Sequence, residues 1–358
     1  MAGVSQGRRD QAVEKKGLTD KEFAILDEIG SRSAPCGAEA EPRAETMSFG
    51  RTAPLAHVLI LGATGYIGDL LVPRLLALGH SVRCLVRDTK RLAGREWASK
   101  AEVFEGDVLD LDSLSQASHG MDAAYYLVHS MGQEAGSAFV QRDHHAASNM
   151  ALVAREVGLG RLIYLGGLGE QAESLSQHLA SRHEVGRVLA AGGAPVTEFR
   201  AAVIVGAKSI SFRMVRYLAE RLPIMLTPKW VSTRIQPIAE DDVLRYLVDA
   251  LVQPESAGKV IEIGGADVLT YGEMITVYAR IRGLRRKLIP VPVLTPALSS
   301  YWVALTTPIP SAIARPLIEG LKTEVIVRSP LARELFPFEP VGYEEAVRRV
   351  LEVDPDLR

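Results

Sequence analysis

Cysteine is scarce in this chain, and neither sign of charge is in excess. Cys36 and Cys84 are the two cysteines among 358 residues, which is too few for a disulfide framework. We therefore expect a reducing compartment and a cytoplasmic protein. No cysteine and histidine spacing is typical of a zinc site, so we expect no bound metal. The 41 basic and 43 acidic residues leave a net charge of −2, which gives no electrostatic attraction to nucleic acid.

Long hydrophobic runs are also missing. No apolar segment reaches the roughly 20 residues that a membrane-spanning helix needs, and the chain begins without a secretory signal pattern. Residues 288–314 carry no charge, but five prolines interrupt them. Three interpretations stay open for this stretch: an apolar lid or wall for a substrate, a peripheral contact with a membrane surface, or a helix packed on the rest of the fold.

The first 53 residues mix acidic and basic side chains and show helical periodicity only at 18–29. We predict a mostly disordered extension with one short helix. Met47 is an alternative start, so the role of residues 1–46 stays open.

The most informative segment is 57–68, where a short apolar run meets three glycines spaced three apart. A helical pattern follows at once. This arrangement is typical of a turn that binds the pyrophosphate of a dinucleotide at a helix N-terminus. We predict that the cofactor contacts the residues of this turn, namely Gly62, Ala63, Thr64, Gly65, Tyr66, Ile67 and Gly68.

A second strand is predicted at 81–86, and Arg87 and Asp88 follow it. A guanidinium at this position suits the 2′-phosphate of NADP, whereas a carboxylate accepts from the 2′-hydroxyl of NAD. With Arg87 at the tip and Lys90 and Arg91 behind it, we favour NADP (NADPH) over NAD. Two alternatives stay open: the bases form a solvated loop, or Asp88 takes the acidic role.

Further strands are predicted at 102–104, 122–128, 161–165, 196–204 and 260–263, with helical segments between them. This alternation predicts an α/β fold with a doubly wound parallel Rossmann sheet. We expect Asp107 beside the adenine, with Val108, Val128 and His129 as further cofactor contacts; a turn or capping role for Asp107 stays open. The predicted organisation is a dinucleotide-binding domain at 54–205 and a mixed region at 206–358. This second region returns strand 259–263 to the sheet and forms a smaller substrate domain.

Several motifs together resemble an extended or atypical short-chain dehydrogenase/reductase. They are Gly62 to Gly68, Leu85 to Asp88, Gly106 to Val108, Tyr126 to Met131, Tyr164 to Gly169 and Gln236 to Val243. Over about residues 55–350 the chain is similar to a bacterial branch of NAD(P)H-binding proteins related to NmrA-like regulators and to an accessory subunit of respiratory complex I. The resemblance implies a Rossmann fold that binds NAD(P)(H), and it implies no settled substrate.

The chain departs from the chemistry that this resemblance implies. Members typically use a Tyr-x-x-x-Lys pair, in which the phenol passes a proton and the lysine lowers its pKa. No lysine here follows a tyrosine at that spacing. In the matching segment, His178 stands where the tyrosine would be and Arg182 where the lysine would be. We predict these two as catalytic residues, with water as the rival acid.

Other expected catalytic features are also changed. The serine expected after the fifth strand is replaced by Gly166 and Gly167, which leaves backbone N–H groups as substitutes. Substrate-pocket residues are predicted at 205–212 and 230–236. Arg213 and Arg234 either meet an anionic substrate group or pair with surface acids. Thr270 and Glu273 predict a capping box at a helix start.

Two functional hypotheses follow from the sequence. One is an NADPH-dependent oxidoreductase acting on a carbonyl, enone or quinone-type small molecule. The other is a non-catalytic NADP(H) sensor or scaffold protein, favoured by the missing tyrosine, lysine and serine. An oligomer is compatible with either.

Overall fold

The computed structural model describes residues 55–129, 138–169, 176–291, 320–321 and 323–353. The predictions for residues 1–53, and those for most of the uncharged stretch at 288–314, lie outside these ranges.

The strands within the described residues are mostly short. They are β1 (His57–Leu61), β2 (Ser81–Val86), β3 (Glu102–Glu105), β4 (Ala123–Tyr126), β5 (Arg161–Gly167), β6 (Val196–Ala201), β7 (Ile204–Val205), β8 (Ile224–Thr227), β9 (Arg234–Ile235), β10 (Ile238–Ala239), β11 (Val260–Ile263), β12 (Leu269–Thr270) and β13 (Lys287–Pro290).

The α-helices alternate with the strands through the first half of the described chain. They are α1 (Tyr66–Ala77), α2 (Leu111–Ser118), α3 (Ala138–Glu156), α4 (Gln177–Ala191), α5 (Ile210–Arg221), α6 (Glu240–Asp249), α7 (Tyr271–Ile281), α8 (Leu331–Leu335) and α9 (Tyr343–Val353).

Seven strands form one parallel sheet in the order β11-β6-β5-β4-β1-β2-β3. All four residues of β4 are buried, as expected for a central strand covered by helices on both faces. The chain runs outward from β1 to β3 and then returns to β4 on the other side of β1. The sheet therefore has a topological switch point between β1 and β4, the predicted doubly wound arrangement.

Helices cover both faces of this sheet with apolar side chains. On one face, α1 and α6 contribute Leu71, Leu75, Val243 and Leu247 to a common core. On the other face, a separate core includes buried residues of three helices: Leu114 of α2, Met150 of α3 and Leu189 of α4. These two layers hold the strand ends in fixed positions around the switch point.

A third core lies in the C-terminal part of the chain, where Phe212 of α5, Tyr278 of α7 and Val347 of α9 are buried together. The described residues also form three two-stranded sheets: β7 with β10, β9 with β12, and β8 with β13. Because the chain breaks the ladder after Ala201, the strand predicted at 196–204 is split into β6 and β7. The domain boundary at 205 stays a prediction.

Other local predictions agree with the structure. The bounds of β2 and β11 are those expected from the sequence, and Thr270 and Glu273 form the predicted capping box at α7. Among the described residues, no helix combines the length and the hydropathy that crossing a bilayer requires.

Candidate functional site

The glycine turn lies at the carboxyl end of β1, beside the switch point. Gly62 has φ +93°, and a Cβ there would lie 2.7 Å from the backbone oxygen of Leu127. A Cβ on Gly68 would lie 2.3 Å from the oxygen of Gly62, so the start of α1 packs directly against the turn. Both positions therefore require glycine.

Gly65 is the N-cap of α1, and no side chain among the described residues caps this helix end. The first backbone N–H groups of α1 are consequently left for a ligand, and the helix dipole favours an anion there. The absence of a side chain at Gly65 leaves room for a pyrophosphate. The residues present thus fit the phosphates of a dinucleotide.

A cavity runs from this turn toward the ends of β2 and β3. Besides the glycines of the turn it is lined by Arg87, Arg91, Asp107, Val108 and Val128. Asp107 Oδ1 accepts a hydrogen bond of 3.0 Å from the backbone N–H of Leu109, so its carboxylate also organises a local turn. The structure brings these predicted cofactor residues together around one space.

Asp88 is engaged differently from Arg87. Its side chain accepts a 2.9 Å hydrogen bond from the backbone N–H of Lys90 and caps the short 3₁₀ turn Thr89–Leu92. Asp88 and Lys90 are not among the residues that line the cavity, whereas Arg87 and Arg91 are. The charge facing the cavity at the end of β2 is therefore positive.

Tyr66 of the turn points away from the phosphate position. Its hydroxyl donates a hydrogen bond to Glu240 at the start of α6, and burial together with that carboxylate raises the pKa of the phenol. A Cβ on Gly206 would collide with both side chains. Tyr66 thus connects α1 to α6, and it is one of the residues that line a second cavity.

The second cavity has a volume of about 510 Å³ and shares Gly62, Gly65, Leu127 and His129 with the first. Apolar side chains form much of its wall: Ile67, Leu165, Leu168, Val203, Ile204, Ile210, Ile235, Leu321 and Val325. Polar groups also line it, including His129, His178 and Arg182. A ligand lying across the shared residues would therefore meet both an anion-binding turn and an apolar chamber.

His178 and Arg182 lie one helical turn apart on α4, as the sequence predicts. Arg182 donates a hydrogen bond to the backbone oxygen of Leu165, and its guanidinium carbon lies 5.2 Å from the ring centroid of Tyr164. The Tyr164 hydroxyl donates in turn to the oxygen of Arg182 at 2.9 Å. Arg182 is thereby fixed to β5 at the cavity wall.

Burial lowers the pKa of His178 to about 3, and the neighbouring His129 and Arg182 act in the same direction. His178 is consequently neutral at pH 7. One ring nitrogen can then donate a hydrogen bond, but the ring does not hold the second proton of an imidazolium. Its assignment as a catalytic residue, with Arg182, stays a prediction.

His129 lies three residues beyond β4, and its ring centroid is 4.9 Å from that of His178. Its Nδ1 is 3.0 Å from Oδ2 of Asp143, whose side chain is almost fully buried on α3. Burial lowers the pKa of His129, and Asp143 partly offsets this effect. The sequence singled out His129, but nothing in the pattern of α3 distinguished Asp143.

The predicted substrate-pocket segments are only partly at this cavity. Lys208, Ser209, Ile210 and Ser211 line it from the first segment, and Ile235 lines it from the second. Arg234 pairs with Glu324, which is the surface pairing left open by the sequence, and Arg213 donates to the hydroxyl of Tyr217 at 3.2 Å. Ala201, Ala202 and Tyr271 also line the cavity and were not predicted.

The sequence is similar to those of two plant proteins. It is 27% identical over 235 residues to the mitochondrial NADH dehydrogenase [ubiquinone] 1 alpha subcomplex subunit 9 of Arabidopsis thaliana, covering 62% of this chain and 57% of that subunit. It is 28% identical over 250 residues to the chloroplastic divinyl chlorophyllide a 8-vinyl-reductase of Zea mays, covering 66% and 62% of the two chains. The chain thus spans about three fifths of the length of these relatives.

Solved structures with the same fold include two bacterial reductases. The Citrobacter sp. triphenylmethane reductase complexed with NADP(H) has a TM-score of 0.64 and 19% identity, covering 82% of this chain and all of that one. The Escherichia coli NADPH-dependent quinone oxidoreductase complexed with NADPH has a TM-score of 0.64 and 17% identity, with coverages of 82% and 99%.

Residues 55–318, well over half of the chain, match the NmrA-like family. The parallel sheet, the glycine turn at its switch point and this match agree. The chain belongs to the NmrA-like family of NAD(P)-binding Rossmann-fold proteins.

Proposed function

We propose that this chain is an NADPH-dependent reductase that acts on an apolar carbonyl, enone or quinone-type compound. The observation that carries the proposal is the apolar cavity of about 510 Å³ that shares four residues with the cavity at the glycine turn. A dinucleotide held by its phosphates at Gly65 would extend one end into this chamber. When bound, the reduced cofactor would supply a hydride there.

The preference for NADPH over NADH is argued from the end of β2. Arg87 and Arg91 line the cofactor cavity, and a guanidinium can form charge-assisted bonds to a 2′-phosphate. The carboxylate of Asp88, which would favour NAD, is used to cap the following turn. Both observations support a site for the phosphorylated cofactor.

The substrate class is argued from the lining of the second cavity. A mostly apolar wall favours a hydrophobic molecule, and polar groups that include His129, His178 and Arg182 can orient one oxygen atom. Two similar proteins point the same way: a reductase from maize and, by fold, a quinone oxidoreductase from Escherichia coli.

A non-catalytic NADP(H) sensor or scaffold is the second candidate. It is favoured by the lack of a Tyr-x-x-x-Lys pair and of a serine at the end of β5, whose last two residues are Gly166 and Gly167. The similar subunit from Arabidopsis is named as part of a larger assembly.

The experiment is a paired fluorescence titration with NADPH and NADH, followed by a turnover assay. The bound, reduced cofactor is mixed with a panel of quinones, enones and aldehydes, and its near-ultraviolet absorbance is followed. A Gly65→Ala variant serves as the control for cofactor-independent loss of absorbance.

Oxidation of NADPH that depends on one compound class, and that Gly65→Ala lacks, is the expected result. Tight binding without turnover by any compound would overturn the reductase and favour the sensor. Tighter binding of NADH would contradict the role proposed for Arg87.

A further inference from the structure

Three polar side chains lie in a row beside the apolar cavity, one a buried carboxylate and two of them half-buried imidazoles. Asp143 comes from α3, His129 from the segment after β4, and His178 from α4. Asp143 Oδ2 is 3.0 Å from His129 Nδ1, and the two imidazole rings are 4.9 Å apart between centroids. Both histidines line the cavity.

The carboxylate of Asp143 fixes the tautomer of His129. Because the carboxylate accepts a hydrogen bond, Nδ1 of His129 carries the proton. Nε2 of the neutral ring then holds a lone pair that is not directed at Asp143. This atom is buried and has no hydrogen-bond partner within the described part of the chain. A carboxylate on one ring nitrogen and a free second nitrogen is the arrangement of an acid–base histidine.

His178 also has a ring nitrogen without a hydrogen-bond partner in the described residues. This atom is its Nδ1, which is also buried. Buried polar atoms are nearly always paired in native proteins, so two unpaired nitrogens on adjacent rings of one cavity point to a position that suits a polar ligand atom. A single oxygen that both donates and accepts would satisfy the two nitrogens.

We propose that His129, oriented by Asp143, is the catalytic residue that exchanges a proton with the substrate oxygen, and that His178 holds the same oxygen by a hydrogen bond. The proposal rests on the reductase function given above and assigns the proton transfer to a different histidine from the one that the sequence indicates.

The proton balance follows from the two nitrogens. During reduction, the substrate carbon gains a hydride supplied by the reduced dinucleotide, and the electron pair of the C=O π bond moves to oxygen. That oxygen forms an O–H bond as the N–H bond at Nε2 of the His129 imidazolium breaks. His129 is left neutral with Nδ1–H still donated to Asp143, and a solvent proton restores the imidazolium.

The charged and titratable groups around His129 set the direction of the pH dependence. Asp143 on α3 favours the imidazolium, whereas Arg182 on α4 and burial disfavour it. His178, Tyr126 and Tyr164 stay neutral near pH 7, since burial lowers the pKa of the imidazole and raises those of the phenols. The rate of reduction is therefore expected to rise as the pH falls below about 6.5.

The test compares His129→Gln, Asp143→Asn and His178→Gln with His144→Gln as the matched control. His144 is next to Asp143 on α3 but contacts Glu184 and does not line the cavity. Turnover with the best compound of the panel is measured across pH, together with NADPH affinity and the unfolding temperature of each variant.

We expect His129→Gln to lower kcat by about 10²- to 10⁴-fold, the usual range for loss of a general acid, and to remove the pH dependence. Asp143→Asn should shift the pH profile to lower pH, because the carboxylate that raises the pKa of His129 is gone. His178→Gln should raise KM more than it lowers kcat. His144→Gln should match the wild type.

Nitrogen-15 NMR of the imidazole rings supplies a readout that does not depend on turnover. It should show His129 with Nδ1 protonated, and Asp143→Asn should lower the titration midpoint of that ring. A proton on Nε2 in the neutral wild-type ring would overturn the proposal. So would a folded His129→Gln variant that keeps the wild-type rate and pH profile, while the reductase function would stand. A wild-type protein that turns over no compound would overturn both.

Discussion

Arg87 is the residue whose replacement should separate the two nicotinamide dinucleotides. It is exposed at the end of β2 and lines the cofactor cavity. We predict that Arg87→Ala weakens NADPH binding by roughly 10- to 100-fold, since a hydrogen bond to a charged group contributes about 1.5–3 kcal/mol. NADH binding should change less than threefold, roughly, because NADH lacks the phosphate.

Lys90→Ala is the matched control for this titration. Lys90 is an exposed base on the same turn, but it does not line the cavity. Equal losses of NADPH affinity in the two variants would mean that the loop acts through its general positive charge. Equal losses of NADPH and NADH affinity in Arg87→Ala would contradict a contact between Arg87 and the 2′-phosphate.

At the scale of one element, two glycines of the strand-turn-helix unit of β1 and α1 should differ in their effects. We expect one to matter for cofactor binding and the other for stability. A Cβ on Gly65 would lie 3.1 Å from the oxygen of Gly62, and φ at this position is −80°, which alanine adopts readily. We predict that Gly65→Ala keeps the free energy of unfolding within about 1 kcal/mol and lowers dinucleotide affinity at least about 10-fold.

Gly68→Ala should instead lower the free energy of unfolding. Its Cβ would lie 2.3 Å from the oxygen of Gly62 and 2.8 Å from Cα of Ala63, so backbone must move. We expect a loss of about 1–3 kcal/mol in the free energy of unfolding, as for an overpacked core. Urea unfolding and cofactor titration on both variants test the pair. A Gly65→Ala variant that binds NADPH like the wild type would show that the phosphates lie elsewhere.

At the scale of the whole molecule, folding keeps the imidazole of His178 neutral and should make the protein sensitive to acid. The folded pKa of His178 is about 3, against 6.5 for an exposed histidine. Below pH 6.5 the unfolded chain binds a proton at this ring and the folded chain does not. The contribution of this ring to the free energy of unfolding is therefore fully favourable above pH 6.5. It is lost as the pH falls, by about 1.4 kcal/mol per pH unit.

We predict that the stability advantage of the wild type over His178→Gln shrinks by about 2 kcal/mol between pH 7 and pH 5. Thr270→Ala is the control, because it removes a cap of α7 and should cost about 1 kcal/mol at every pH. Urea unfolding at several pH values gives the measurement. Parallel curves for the wild type and His178→Gln would contradict a neutral His178 in the folded state.

Features that depend on neighbours along the chain can be read directly from the sequence. The glycine turn, the strand at Ser81–Val86 and the capping box at Thr270 were all visible, because each is encoded within a dozen residues or fewer. The alternation of strands and helices was sufficient for the doubly wound sheet, since parallel strands need crossover helices.

Which distant groups meet is set by the packing of the folded chain. The pairing of His129 with Asp143 and the contact between His129 and His178 join three segments, and no periodicity reports on such contacts. The same holds for two-residue strands such as β7 and β10, which exist only because the two segments lie side by side. Local patterns fix backbone conformation and the buried face, whereas the chemistry of this site depends on side chains brought together by packing of the sheet and its helices.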